Sequence, residues 1–267
     1  MKIINRSFHL LVTLLILIIL QAFSCGSDNT SAELSDTGVA GSYARFIVVN
    51  NFMYIVDDSS IKTFDLVDET KPVQIDEQTV GDRIESIFHF DSLLFVGSGA
   101  GLFIYQIREN GLPEQLSATE YFQSFETFSC DPVAADSTHA YVTLNTLSRI
   151  DTPCGGIDNI TTNELRVYDI TDLTNPQLIS VIEMQAPKGV GLDGKTLFIC
   201  DDAAGLKIYD VNDPLQIQLI KHFENFTAFD VIPLDGLLLV VGPENVYQFD
   251  YTDLDNIQLV SQIAYGI

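Results

Sequence analysis

From about residue 44 onward, apolar side chains come in short alternating or continuous runs bounded by Gly, Asp, Asn and Pro. That pattern predicts β-strands joined by tight turns, and no segment after Cys25 sustains a helical period. The unit is clearest at Gly189 to Leu192, a turn at Asp193-Gly194, Thr196 to Cys200, Leu206 to Val211 and Gln216 to His222. The next stretch reads alike, with Ala228 to Ile232, a turn at Asp235-Gly236, Leu237 to Val241, Val246 to Tyr251 and Ile257 to Ile263. Each unit therefore holds four short strands.

An aromatic residue followed by Asp marks the third strand, and it repeats as Phe64-Asp65, Tyr105-Gln106, Tyr168-Asp169, Tyr209-Asp210 and Phe249-Asp250. The spacings are 41, 63, 41 and 40 residues, and further columns run on without gaps. Three places past the aspartate stand Asp68, Glu109, Asp172, Asp213 and Asp253, and ten past it stand Ile75, Leu116, Ile179, Ile220 and Val260. Four-stranded repeats of this length predict an all-β fold, a β-propeller of five blades that close edge to edge. The blades are expected at about 44–80, 83–120, 129–184, 187–225 and 226–264. The aromatics are then core between blades, and the acidic column caps turns, because Asp bonds its own backbone there. The chain has no Trp, which speaks against a WD40 ring.

Through Gly205-Leu206-Lys207-Ile208-Tyr209-Asp210-Val211 and Leu165-Arg166-Val167-Tyr168-Asp169-Ile170, the repeat resembles the LVIVD family of bacterial propeller repeats. Thr63 and Gln106 depart from that family's core in the first two repeats. The resemblance implies an exported, lipid-anchored propeller and no established chemistry.

The N-terminus fits export. Lys2 and Arg6 precede an apolar run from Leu10 to Leu20 that ends at Ala22-Phe23-Ser24-Cys25, which reads as a signal peptide over residues 1–24. Cys25 resembles the lipid-modified cysteine of bacterial lipoproteins, which implies membrane attachment through a lipid and a place in the cell envelope, at the outer membrane. Ala22 and Phe23 depart from the usual box, so ordinary cleavage before the same residue is the other reading. Residues 25–43 read as a lipidated tether and 44–267 as the propeller.

Charge narrows the partners. Thirteen Lys and Arg stand against 37 Asp and Glu, a net charge of −24, and the leader removes only basic residues. Nucleic acid is excluded as a partner, since phosphate contacts need clustered Lys and Arg. Another envelope protein or a glycan is the expected partner.

Candidate chemistry is sparse. Cys130 and Cys154 are expected to form a disulfide, while Cys200 ends the run Leu197-Phe198-Ile199 and reads as a buried thiol. Relative to its neighbours the third repeat carries an insertion between Leu144 and Leu165, and long loops on rigid scaffolds tend to carry function. Arg149, Asp151, Asp158 and Asn159 within it, with Asp131, Lys188, Asp201 and Asp202 from other loops of the same rim, form the candidate binding face. A solvated acidic rim is the plain alternative. No zinc spacing, calcium loop, nucleophile elbow or phosphate loop is present, so no catalytic residue, metal or cofactor is expected. The rival class is a glycan-active hydrolase with two carboxylates in the central channel.

Overall fold

The computed structural model describes residues 41–81, 83–121, 132–145 and 162–265, which form five four-stranded antiparallel sheets, the blades of a five-bladed β-propeller. Blade 1 holds β1 (Phe46–Val49), β2 (Phe52–Val56), β3 (Ser60–Asp65) and β4 (Val73–Thr79). Blade 2 holds β5 (Ile84–Phe90), β6 (Leu93–Ser98), β7 (Gly101–Ile107) and β8 (Pro113–Glu120). Blade 3 holds β9 (Val133–Ala135), β10 (His139–Asn145), β11 (Asn163–Asp169) and β12 (Gln177–Glu183). Blade 4 holds β13 (Val190–Asp193), β14 (Thr196–Cys200), β15 (Leu206–Asp210) and β16 (Gln218–Phe223). Blade 5 holds β17 (Asp230–Leu234), β18 (Leu237–Val241), β19 (Asn245–Asp250) and β20 (Gln258–Ala264). Each blade is a meander from an inner to an outer strand.

Turn chemistry sets the register. Leu234 pairs with Leu237, leaving Asp235-Gly236 as a two-residue loop with φ of 47° and 91°, the mirror-image turn whose twist suits a hairpin. In blade 4, Asp193 pairs with Thr196, so the loop is Gly194-Lys195, one residue later than expected. Gly194, at φ 55°, takes the first central position, where this second hairpin turn type requires glycine. A bulge just before the repeated aromatic recurs in all five blades, at Thr63/Phe64, Ile104/Tyr105, Val167/Tyr168, Ile208/Tyr209 and Gln248/Phe249. It increases the local twist of each blade at the same height.

The core lies between blades. Tyr105 packs back on blade 1 with Tyr54 and Ile61, and Tyr168 packs back on blade 2 with Phe95 and Leu102. Tyr209 meets Tyr141 and Leu165 of blade 3, and Phe249 meets Phe198 and Ile208 of blade 4. Each large side chain so buried stabilises by roughly 1.5–3 kcal/mol. The residue before the aromatic faces the following blade, and Ile104, Val167 and Ile208 are wholly buried there.

Closure of the ring is different. Among the described residues no buried apolar cluster joins blade 5 to blade 1. The second strands of blades 2, 3 and 4 are buried on both faces, whereas β2 and β18 alternate between buried and half-buried positions. Phe64, expected to be core, is only half-buried, and Phe46 on the innermost strand is 59% exposed. The column explains this, because blade 5 places Gln248, not an aliphatic residue, on the face toward blade 1. Polar bonds from residues 41–45 bridge the seam. Ser42 N and Oγ donate to Asp230 Oδ1 at 3.2 and 2.8 Å, and Ser42 Oγ accepts from Val190 N at 2.9 Å. Ala44 O accepts from Ile87 N of blade 2, and Arg45 O from Val56 N of blade 1.

Two expectations are corrected here. Among the described residues there is no disulfide: Cys200 is a free, wholly buried thiol packed between blades 4 and 5, where burial pushes its pKa well above the usual value. The expected bond is not found among the described residues, outside which Cys130 and Cys154 both lie. The expectation of a membrane chain is cut back to what the described residues show: none of their helices is long and apolar enough to cross a membrane. Cys25 and residues 1–40 lie outside the described residues.

Candidate functional site

The meander sorts the connections onto two rims. One rim carries the turns between first and second strands and between third and fourth strands. The other carries the turns between second and third strands and every link between blades.

On the first rim the acidic columns are consumed by the fold. Asp169 accepts from Thr171 N at 2.9 Å and Asp172 from Thr174 N at 3.0 Å, and the pattern repeats for Asp65, Asp68, Asp210, Asp213, Asp250 and Asp253. These are Asx turns, two in succession in every blade but the second, where Gln106 and Glu109 stand instead. At Asp169, Asp172 and Asp250 the hydroxyl bond from the Thr two residues on holds the carboxyl below the usual range. Such carboxylates serve the turn.

The second rim is less uniform. At its blade 1 turn, Asp57 accepts from Ser59 N, Ser60 N and Lys62 Nζ, and Lys62 holds the Asp57 carboxyl well below the usual range. The equivalent turn of blade 4 repeats the device with Asp201, fully buried, which accepts from Ala186 N at 2.7 Å, Gln185 N at 3.1 Å and Lys207 Nζ at 2.5 Å. Asp202, held at φ 49°, pairs with Lys188 at 3.2 Å, and Lys188 Nζ lies 4.2 Å from the centre of the Phe229 ring. The structure thus brings Lys188, Asp201 and Asp202 together at the rim end of blade 4. Asp201 is internal to the fold there. Asp131, Arg149, Asp151, Asp158 and Asn159 lie outside the described residues.

Further inward stand residues that sequence reasoning did not single out. Asp230 opens β17 between Gly189 and Gly41, whose missing Cβ atoms leave room for its carboxylate. Burial pushes that carboxyl above the usual range, while bonds from Ser42, Val231 and Tyr43 pull the other way. Glu85 sits in β5, where burial pushes its carboxyl up to about 7 against the pull of Arg45 and Arg83. Arg45 bonds Ile84 O at 2.5 Å and Asp58 at 3.1 Å. The available signal was a lone acid interrupting an apolar inner strand, as in Ile84-Glu85-Ser86-Ile87. Among the described residues no group of three or more His, Cys, Asp or Glu side chains is placed to hold a metal ion.

These features define a propeller whose one rim is spent on turns and whose other rim carries an uneven set of charges. Known proteins agree on the fold only. No family model matches the chain, and no curated protein matches it. Among solved structures, a functionally unknown protein from Desulfotomaculum acetoxidans superposes with a TM-score of 0.62 at 10% identity, over 87% of this chain and 70% of its own. A protein from Lactobacillus plantarum gives 0.60 at 13% identity, over 80% and 68%. The periplasmic gluconolactonase of Pseudomonas aeruginosa gives 0.57 at 10% identity, over 81% and 68%.

Proposed function

We propose that the chain is an exported, non-catalytic propeller of the cell envelope that binds a protein or glycan partner on its second rim. The observation that carries this reading is the distribution of connection lengths. β10 ends at Asn145 and β11 begins at Asn163, and β8 ends at Glu120 and β9 begins at Val133, both on this rim. Equivalent links elsewhere are a few residues long, and long loops on a rigid scaffold are where recognition concentrates. The same rim presents Asp58, with 92% of its side chain exposed, and Glu224, with 68%. The sequence leader supports the exported location.

The test is interferometry against immobilised envelope polysaccharides and purified envelope proteins. Asp58→Lys with Glu224→Lys is expected to weaken a bound ligand about tenfold, because reversed charge at an interface disfavours the encounter. Glu69→Lys with Asp255→Lys, on the other rim, is expected to leave binding unchanged. Equal affinity for both variants removes the reading.

Glu85 favours a second reading, hydrolysis of a sugar derivative, since a carboxyl that titrates near neutrality suits a general acid. The name of the Pseudomonas aeruginosa structure points to the substrate classes to assay. Aldonolactones and aryl glycosides should then turn over with the wild type and not with Glu85→Gln. No turnover by either retires this reading and leaves the binding role standing.

A further inference from the structure

We propose that the chain self-associates through β20, two copies pairing their outermost blade 5 strands antiparallel about a two-fold axis.

An outer strand leaves a row of unpaired backbone N–H and C=O groups, and proteins normally guard such edges with charge or proline. Four of the five outer strands here are guarded: β4 by Asp76 and Glu77, β8 by Pro113, Glu114 and Glu120, β12 by Glu183, and β16 by Lys221 and His222. β20, reading QLVSQIA, shares the bulge common to all five outer strands, at Val260, but has neither charge nor proline, and no charged side chain occurs from Asn256 to Tyr265. Its apolar residues also face outward, with Leu259, Val260, Ile263 and Tyr265 between 52 and 62% exposed.

A second observation points to the same blade. Among the described residues, blade 5 is the one whose following face is not covered by an apolar core, so Ile263 and Ser261 continue the half-buried face formed by Val246, Gln248, Leu239 and Val241.

Charge selects the occupant. At a net charge of −24, two copies repel one another through most surfaces, and like charges opposite one another in a sheet are destabilising. Antiparallel pairing of β4 with its copy about the strand centre sets Asp76 opposite Asp76. The same pairing of β20 about Ser261 sets only uncharged residues opposite one another, with the bulged Val260 beside the axis. A two-fold axis makes this contact self-complementary and closed.

Sedimentation of the full chain, in mild detergent to hold the apolar leader, is the test, across about 1 to 200 µM, where small interfaces dissociate. The wild type is expected to reach twice the single-chain mass at the upper end, and Val260→Lys with Ile263→Lys to remain single throughout. Val73→Lys with Ile75→Lys, at comparable exposed positions of β4, should behave as wild type. Ser261→Cys, placed on the axis in a chain whose Cys25, Cys130 and Cys154 are replaced by serine, is expected to give a disulfide-linked dimer on copper-phenanthroline oxidation that the same chain with Ser261 does not give. A wild type that stays single at the top concentration overturns the proposal. So does association that survives the β20 lysines, or a Ser261→Cys chain that fails to cross-link.

Discussion

Leu238 and Leu239 are neighbours on one strand and differ in what they face, which makes them a direct test of how the ring is held. Leu238 is wholly buried with Phe198 of blade 4 and Phe249 of its own blade. Leu239 pairs with Ile232 on one side and Gln248 on the other, on the half-buried face toward blade 1. Truncating a fully buried leucine costs about 2–5 kcal/mol, the lost transfer energy plus the cavity left behind. Leu238→Ala is therefore expected to cost about 3 kcal/mol, and Leu239→Ala about 1 kcal/mol, since part of its surface is already in water and the space is open to refilling. At about 2–4 °C per kcal/mol for a chain of this size, Tm should fall by about 6–12 °C for the first and about 2–4 °C for the second. Thermal melts followed by circular dichroism, with urea titrations for ΔG, measure both. Equal losses would mean that the seam between blades 5 and 1 is packed like the other four, and the polar strap would then be incidental.

Other outcomes follow from single contacts. Lys207→Ala leaves Asp201 buried with only backbone donors, and urea denaturation should show a loss of about 2–4 kcal/mol, with Lys207→Arg restoring most of it. Gly189→Ala puts a Cβ 2.5 Å from Asp230 Cα, so blades 4 and 5 must part, and a loss above about 2 kcal/mol is expected in the same assay. Glu85 has its folded carboxyl raised from 4.5 to about 7, so the folded state holds the proton more tightly than the unfolded one. Its contribution is most favourable below about pH 4.5 and is lost as pH rises toward about 7, so Tm should fall over that window in the wild type and fall less in Glu85→Gln. Ser42→Ala removes both the donor to Asp230 and the acceptor for Val190 N, and about 1–3 kcal/mol should be lost.

Most of the fold was legible because repetition multiplies a weak signal. One run such as Leu206 to Val211 fits a strand or a short buried helix, but five copies of the same columns fit only a repeated sheet. The aspartates were legible too, since a carboxylate two residues before a Thr or Asn N–H makes its turn from local chain alone. The turn in blade 4 was misplaced by one residue because the turn type depends on which central position the glycine occupies, and strand pairing decides that. The recurrent bulge falls on a column the sequence does show, since Ile75, Leu116, Ile179, Ile220 and Val260 are the unpaired extra residues of the five fourth strands, but only strand pairing reveals that this aliphatic column stands outside the register. Charges on the second rim were read from loop positions, so Asp201 passed for a surface group. Nothing local reveals that Lys207, six residues on, reaches back to bury it.

The open seam shows where the repeat argument stops. Five repeats predict five blades, yet they do not say that the last face fits the first, because that contact joins the most distant parts of the chain. The column before the aromatic did contain the answer. Ile104, Val167 and Ile208 are aliphatic where a following blade covers them, whereas Gln248 is an amide at the same position. Thr63, the fifth member, is wholly buried against blade 2 with no partner for its hydroxyl, so a polar residue in this column does not by itself mean exposure. The difference is that Gln248 lies on a face whose other members, Leu239 and Val241, are also half-buried. A whole face, read through the pairing of three strands, therefore carries information that a single column cannot, and it assigns blade 5 a surface that the other blades lack.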